Sequence, residues 1–150
     1  MKVVLFQAQI PQNAGNIVRT CNVSGNSLIF VRPLGFSTTS RHLKRAGLDY
    51  WEGVQVEFID DLMSFLSAQA APFYFFSSHA SSLYTEIQYS PDSLLIFGSE
   101  TAGLPHEYHA RWPERFYTIP MRQESRCLNL ANAVSIVIYE AWRQQKFTLS

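Results

Sequence analysis

Apolar residues along this chain fall in short runs separated by polar, glycine- or proline-containing stretches. Six of them, VVLFQ (3–7), SLIFVRP (27–33), VQVEFI (54–59), PFYFFSS (72–78), SLLIFG (93–98) and RFYTIP (115–120), are rich in β-branched or aromatic residues. Their length and their Gly, Pro, Ser or Asp boundaries predict β-strands. The stretches between them predict helices over residues 15–24, 39–47, 60–70 and 128–146. Strands that are apolar nearly throughout, alternating with helices, predict an α/β fold: a mostly parallel sheet with helices on both faces. No internal repeat, low-complexity tract or linker interrupts the pattern.

The final helix carries a further signal. In LNLANAVSIVIYEAWRQQ the apolar positions Ala131, Ala133, Val134, Ile136, Val137, Ile138, Tyr139, Ala141 and Trp142 run around most of the circumference. A helix of that kind needs two burial partners. One is the sheet; the other is expected to be a second copy of the chain, giving a homodimer.

Composition narrows the class. At 150 residues and 47% hydrophobic, the chain is expected to form one domain over residues 1–150 with a real core. It has no apolar run of membrane-spanning length, and its start, MKVVLFQAQIPQ, breaks at Gln7 and Gln9 without a cleavage pattern, so a soluble, cytoplasmic protein is expected. Cys21 and Cys127 lack CxxC spacing and read as free thiols. A formal net charge of zero excludes coating of nucleic acid by bulk electrostatics, but leaves room for a local basic patch such as RHLKR at 41–45.

Three segments could carry chemistry. In IPQNAGNIVRTC (10–21), Pro11 and Gly15 are expected to shape a turn, after which Asn16 and Arg19 share one helix face. With Asn13 and the free N–H groups of the helix start they could bind a phosphate or a sugar hydroxyl; the alternative is a capped helix with a surface arginine. Neither glycine pattern of a nucleotide loop is present. In LLIFGSETAGLP (94–105), a strand ends at Gly98, placed for a ligand to approach the backbone, and Glu100 is the loop's carboxylate. In IPMRQESRCLNLANAVS (119–135), Ser125, Asn129 and Asn132 stand near the start of the last helix, where buried amides need partners or a ligand. His106 and His109 have HxxH spacing without a third ligand, so a surface role is expected and no metal.

In order and content, these three segments resemble the motifs of the SPOUT family of RNA methyltransferases. The first, PQNAGNIVRTC, resembles the ribose-methylating branch; FGSETAGLP and IPMRQESRCLNLANAVSIVIYEAWRQ resemble the second and third motifs. RPLGF (32–36) and RAGLDYWE (45–52) extend the likeness over the whole chain, which is most similar to the minimal, single-domain TrmL-type subgroup acting on the tRNA wobble nucleotide. The resemblance implies a C-terminal deep trefoil knot, which periodicity could not show. It also implies S-adenosyl-L-methionine as cofactor, with S-adenosyl-L-homocysteine as product, and tRNA as partner.

Carried across, the implied cofactor contacts are Phe76, Ser77, Gly98, Glu100, Gly103, Ile119, Met121, Cys127 and Leu128. Arg19, Asn13, Asn16, Glu100, Ser125, Asn129 and Tyr139 are the implied catalytic set. Arg41, Lys44, Arg45, Arg122 and Arg126 are the expected RNA-binding stripe, which predicts methylation that weakens as ionic strength rises. Ser99, Cys127 and Ala131 depart from the family's usual proline, serine and serine. A guanidinium stays protonated in proteins, so Arg19 is better suited to grip a phosphate and stabilise alkoxide charge than to act as a base. The rivals are a base methylase of the same fold, which would need an acidic base, and a catalytically silent RNA-binding module.

Overall fold

The computed structural model describes residues 1–37, 39 and 53–149. The strands are β1 (Lys2–Phe6), β2 (Ser27–Val31), β3 (Val56–Ile59), β4 (Phe73–Phe76), β5 (Ser82–Leu83), β6 (Leu94–Phe97) and β7 (Phe116–Thr118). They form one seven-stranded sheet in the order β3-β2-β1-β6-β4-β7-β5. Every pairing between named strands is parallel, with Val3 opposite Leu28 on one side and Leu95 on the other.

Burial on both faces explains the nearly continuous apolar strands, because successive side chains point to opposite sides. One set, Val3, Leu5, Leu28, Phe30, Leu95 and Phe97, packs with Ile17, Val18 and Cys21 of α1 (Pro11–Ser24) and Val134, Val137 and Ile138 of the C-terminal helix. The alternate set, Val4, Ile29, Val31, Phe75, Leu94 and Ile96, packs with Leu62 and Leu66 of α2 (Leu62–Ser67) and Tyr108 of α3 (His106–Arg111). The C-terminal helix is α4 (Leu130–Gln144). Full burial of each large apolar side chain contributes about 1.5–3 kcal/mol, so the two clusters hold the sheet from both sides.

The six expected strands and three of the four expected helices are present, with shifted ends. The expected helix over 39–47 lies outside the described residues, save for residue 39. Helix α1 begins at Pro11 rather than at Gly15: proline at the first helical position lacks only an N–H that would have had no intrahelical partner, so it starts the helix instead of forming a turn. Gly15 is therefore a buried helical residue. Among the described residues four short elements were not foreseen: the two-residue β5, the six-residue α3 and the 3-10 turns Tyr84–Glu86 and Pro113–Arg115.

Helix α4 buries a single stripe, Ala131, Val134, Val137, Ile138 and Ala141, while Tyr139 is 44% exposed. Among the described residues the helix packs against both α1 and the sheet, so its two burial partners are found within one chain, and of its large apolar side chains Tyr139 is the one left exposed.

Candidate active site

The carboxyl ends of β4, β6 and β7, together with the N-termini of α1 and α4, enclose an open cavity of about 540 Å³. That volume lies within the roughly 300–1,000 Å³ usual for small-molecule sites. The strand order places it at the switch of the sheet, because the chain runs outward from β1 through β2 to β3 and then crosses to β4 on the other side of β6.

The middle wall is the loop that follows β6. Ser99 and Gly103 exchange backbone hydrogen bonds at 3.2 and 3.0 Å, and Ser99 Oγ accepts from the Ala102 N–H at 3.1 Å. The Ser99 hydroxyl thus supplies a local constraint at a position where proline is usual in the family that the motifs resemble. Gly103 has φ +64°, a left-handed conformation open to glycine. Gly98 is needed for a different reason. A Cβ there would lie 2.4–2.7 Å from the backbone of Gly103 and Leu104. Gly98 lines the cavity as expected, but the backbone closely approaching it belongs to its own loop.

Glu100 connects this wall to the first motif. One carboxylate oxygen accepts from the Gln9 N–H at 2.8 Å; the other accepts from the Ile10 N–H at 3.1 Å and from Asn13 Nδ2 at 3.2 Å. Helix α1 has no capping side chain of its own at Ile10, so Glu100, from a distant loop, satisfies donors at its entrance. Asn13 then passes the connection on, as its Oδ1 accepts from Asn129 Nδ2 at 2.9 Å. Asn129 is the N-cap of α4, its Oδ1 accepting from the N–H groups of Ala131 at 2.9 Å and Asn132 at 3.3 Å. The donor and acceptor roles fix the orientation of both amides: a carboxylate only accepts, so the Asn13 NH2 faces Glu100. Asn129 therefore precedes the helix, where the sequence pattern placed it inside, and Asn132 is exposed.

The nine residues expected at the cofactor, Phe76, Ser77, Gly98, Glu100, Gly103, Ile119, Met121, Cys127 and Leu128, all line the cavity. Met121 and Leu128 stay 36% and 39% exposed there, apolar surface available to a ligand. Of the expected catalytic set, Asn13, Glu100 and Asn129 line it, whereas Asn16, Arg19, Ser125 and Tyr139 do not. Asn16 and Arg19 are exposed farther along α1, Arg19 about 9 Å beyond Asn13 at 1.5 Å per residue. Ser125 donates to the Arg122 carbonyl at 2.6 Å. Tyr139 is exposed on α4, edge-on to Trp142. Arg122 and Arg126 are exposed in the segment before α4; Arg41, Lys44 and Arg45 lie outside the described residues.

His79 and His109 also line the cavity; the sequence suggests a surface role for His109 and none for His79. His109 is half-buried, and its ring stacks on Phe116 with centroids 3.8 Å apart. Burial, followed by the neighbouring His106 and His79, holds its pKa below the ordinary histidine value. The signal for His79 was present, because SSHA follows a strand end. Among the described residues, no group of three or more His, Cys, Asp or Glu side chains is placed to hold a metal ion, and no helix is long and apolar enough to cross a membrane.

A family model for the SpoU rRNA methylases matches residues 1–139. The chain belongs to the SpoU rRNA methylase family. Among SpoU relatives, a tRNA (cytidine(34)-2'-O)-methyltransferase of Yersinia pestis is 39% identical over 151 residues, covering 96% of this chain and 93% of its own length. A structure determined for insight into the 2-OH methylation of C/U34 on tRNA superposes with TM-score 0.88 at 42% identity, covering 98% of this chain and 97% of that one. An AdoMet-bound rRNA methyltransferase from Sinorhizobium meliloti superposes with TM-score 0.81 at 29% identity, covering 95% of this chain and 55% of that one. The SpoU fold is thus shared over 95–98% of the chain, and the three segments that build the cavity lie within the residues that the family model matches.

Proposed function

We propose that the protein transfers a methyl group from S-adenosyl-L-methionine to the ribose 2'-hydroxyl of the wobble cytidine or uridine of tRNA. The observation that carries this reading is the convergence of three distant segments on one cavity, locked by the chain Glu100–Asn13–Asn129. Support for tRNA over rRNA comes from length: the relatives named for nucleotide 34 match end to end, whereas the rRNA enzyme is much longer than this chain.

The cavity fits the cofactor by its chemistry. Phe76 and Phe97 stack with centroids 4.8 Å apart beside apolar Ile119 and Leu128, an environment for an adenine ring, and the loop from Gly98 to Gly103 presents backbone groups for a ribose. The cofactor supplies the activated methyl group. The chain's residues do the positioning: Glu100 holds the entrance of α1 against the cofactor loop, and Asn13 and Asn129 set the spacing between the two helices that flank it. Arg19, exposed on α1, grips the phosphate next to the target ribose and stabilises the alkoxide charge developing as the hydroxyl proton leaves to phosphate or water. A base methylase would need an acidic base, and the one carboxylate among the described lining residues, Glu100, has both oxygens engaged by α1. The intact cavity and network also favour an enzyme over a silent RNA-binding module.

Three finer elements complete the proposal. The chain forms a single domain, with a C-terminal trefoil knot. The knot is what the family resemblance implies, and it would form where the chain returns from β7 to α1 through the contacts of Asn129 with Asn13 and of Ser135 with Thr20. The protein is a homodimer through the outer faces of α1 and α4, where Val23 is 61% and Tyr139 44% exposed. Arg122 and Arg126 contribute to RNA binding next to the cavity. Incubation with undermodified tRNA and labelled cofactor, followed by nucleoside mass spectrometry, tests the reaction: a methyl on ribose 34 supports it, and a methyl on a base refutes it.

A further inference from the structure

Glu100 and two histidines are the ionisable side chains that decide the electrostatics of the cavity. Among the described lining residues no lysine or arginine is present; the groups able to carry positive charge are His79 and His109. The Glu100 carboxylate is already satisfied by α1. An anionic ligand group entering this cavity therefore meets a cationisable protein partner only at the wall built by the residues after β4 and by α3.

That wall is constructed rather than loose. The His109 ring lies almost parallel on Phe116, interplanar angle 21°, which holds its plane where it lines the cavity. His79 lines the cavity as an exposed residue, and its backbone N–H donates to Ser77 Oγ at 3.2 Å, a bond that fixes the turn carrying it. His106, the remaining histidine nearby, is exposed and does not line the cavity. A neutral imidazole still offers one N–H donor, and a protonated one offers two, so the pair can serve a carboxylate with or without charge.

We propose that His79 and His109 bind the carboxylate of the cofactor's amino-acid tail and so distinguish S-adenosyl-L-methionine from adenosine thioethers that lack that tail. This rests on the reading of the cavity as the cofactor site. The apolar walls at Phe76, Ile119 and Leu128 receive the adenosine portion, which both kinds of ligand share, and the histidine wall receives the portion that only the cofactor has.

The test is calorimetric titration of the full chain with two probes, S-adenosyl-L-methionine and 5'-methylthioadenosine. It compares the parent with His79→Ala, His109→Leu and the double variant, with thermal melts to confirm folding. His79 is exposed, so His79→Ala reports even if the packed His109 does not tolerate leucine; His109→Gln then replaces it. The expected result is a fall of tenfold or more in affinity for S-adenosyl-L-methionine in the double variant, with less than a twofold change for methylthioadenosine. Equal weakening of both probes, or no change in either, overturns the assignment. A parent protein that binds neither probe refutes the cofactor-site reading itself, and that result is distinguishable because it appears before any substitution is made.

Discussion

Replacing Glu100 with glutamine is nearly isosteric, yet it strikes the point where the cofactor loop holds the first helix. The carboxylate accepts three hydrogen bonds, one from Gln9 at one oxygen and two from Ile10 and Asn13 at the other. A glutamine can keep only one acceptor oxygen. In its better orientation the new NH2 faces the Gln9 N–H, so one charge-assisted bond, worth about 1.5–3 kcal/mol, is lost and a donor is left opposed to a donor. The two remaining bonds also lose the contribution of charge. A cost of about 2 kcal/mol corresponds to a melting temperature about 4–8 °C lower for a domain of this size. The substitution should also lower methyl transfer, because Asn13 and Arg19 ride on the helix that Glu100 anchors. Differential scanning calorimetry reads the first effect and labelled-cofactor incorporation the second. A melting temperature within about 1 °C of the parent would refute the argument that Glu100 is an anchor, since one of three accepted bonds cannot be lost, and the other two stripped of charge, without cost.

Other substitutions separate the parts of the account. Arg19→Ala should reduce methyl transfer by about 10²-fold or more, the scale for removing one charge-stabilising donor, while cofactor affinity measured by calorimetry stays within about twofold, because Arg19 does not line the cavity; a large cofactor loss contradicts the division of roles. Gly98→Ala drives a Cβ to 2.4 Å from the Gly103 carbonyl carbon; with only backbone to give way, about 1–3 kcal/mol of stability and much of the cofactor affinity should go, and a parental melt would contradict it. Alkylation at pH 8 should label one thiol of the native protein and both after denaturation, by intact mass. Cys127 is exposed, whereas Cys21 is buried and burial pushes its thiol up to about 12, leaving little thiolate. Because Cys127 lines the cavity, added cofactor should slow its labelling.

The strands were legible because burial on both faces of the sheet writes continuous apolar runs into the sequence, as in the wholly buried Leu94–Phe97. What failed was local. A two-residue strand such as Ser82–Leu83 leaves no periodicity to read. Pro11 reads as a turn residue until the helix that it opens is seen. The residues that the resemblance implies for the cofactor come from segments far apart in the chain, and they meet at one cavity. The partnership of Glu100 was not legible, because its acceptors' partners lie about ninety residues away in the chain. The same is true of Gly98, whose constraint is a loop folding back on it, and of Asn129, whose amide caps a helix with one atom and reaches Asn13 with the other. Tyr139, which the resemblance placed in the catalytic set, is exposed on α4 and does not line this cavity, a placement that a motif read along the chain does not convey.

The central claim is a ribose methyl at the wobble nucleotide, delivered by the cavity that joins the three motifs. Undermodified tRNA should be incubated with the protein and isotopically labelled S-adenosyl-L-methionine, then digested and mapped by mass spectrometry. Label in 2'-O-methylcytidine or 2'-O-methyluridine at position 34, absent when Arg19 is replaced, is the predicted outcome. Label on a base, at another position, or undiminished in the Arg19→Ala protein would contradict the account.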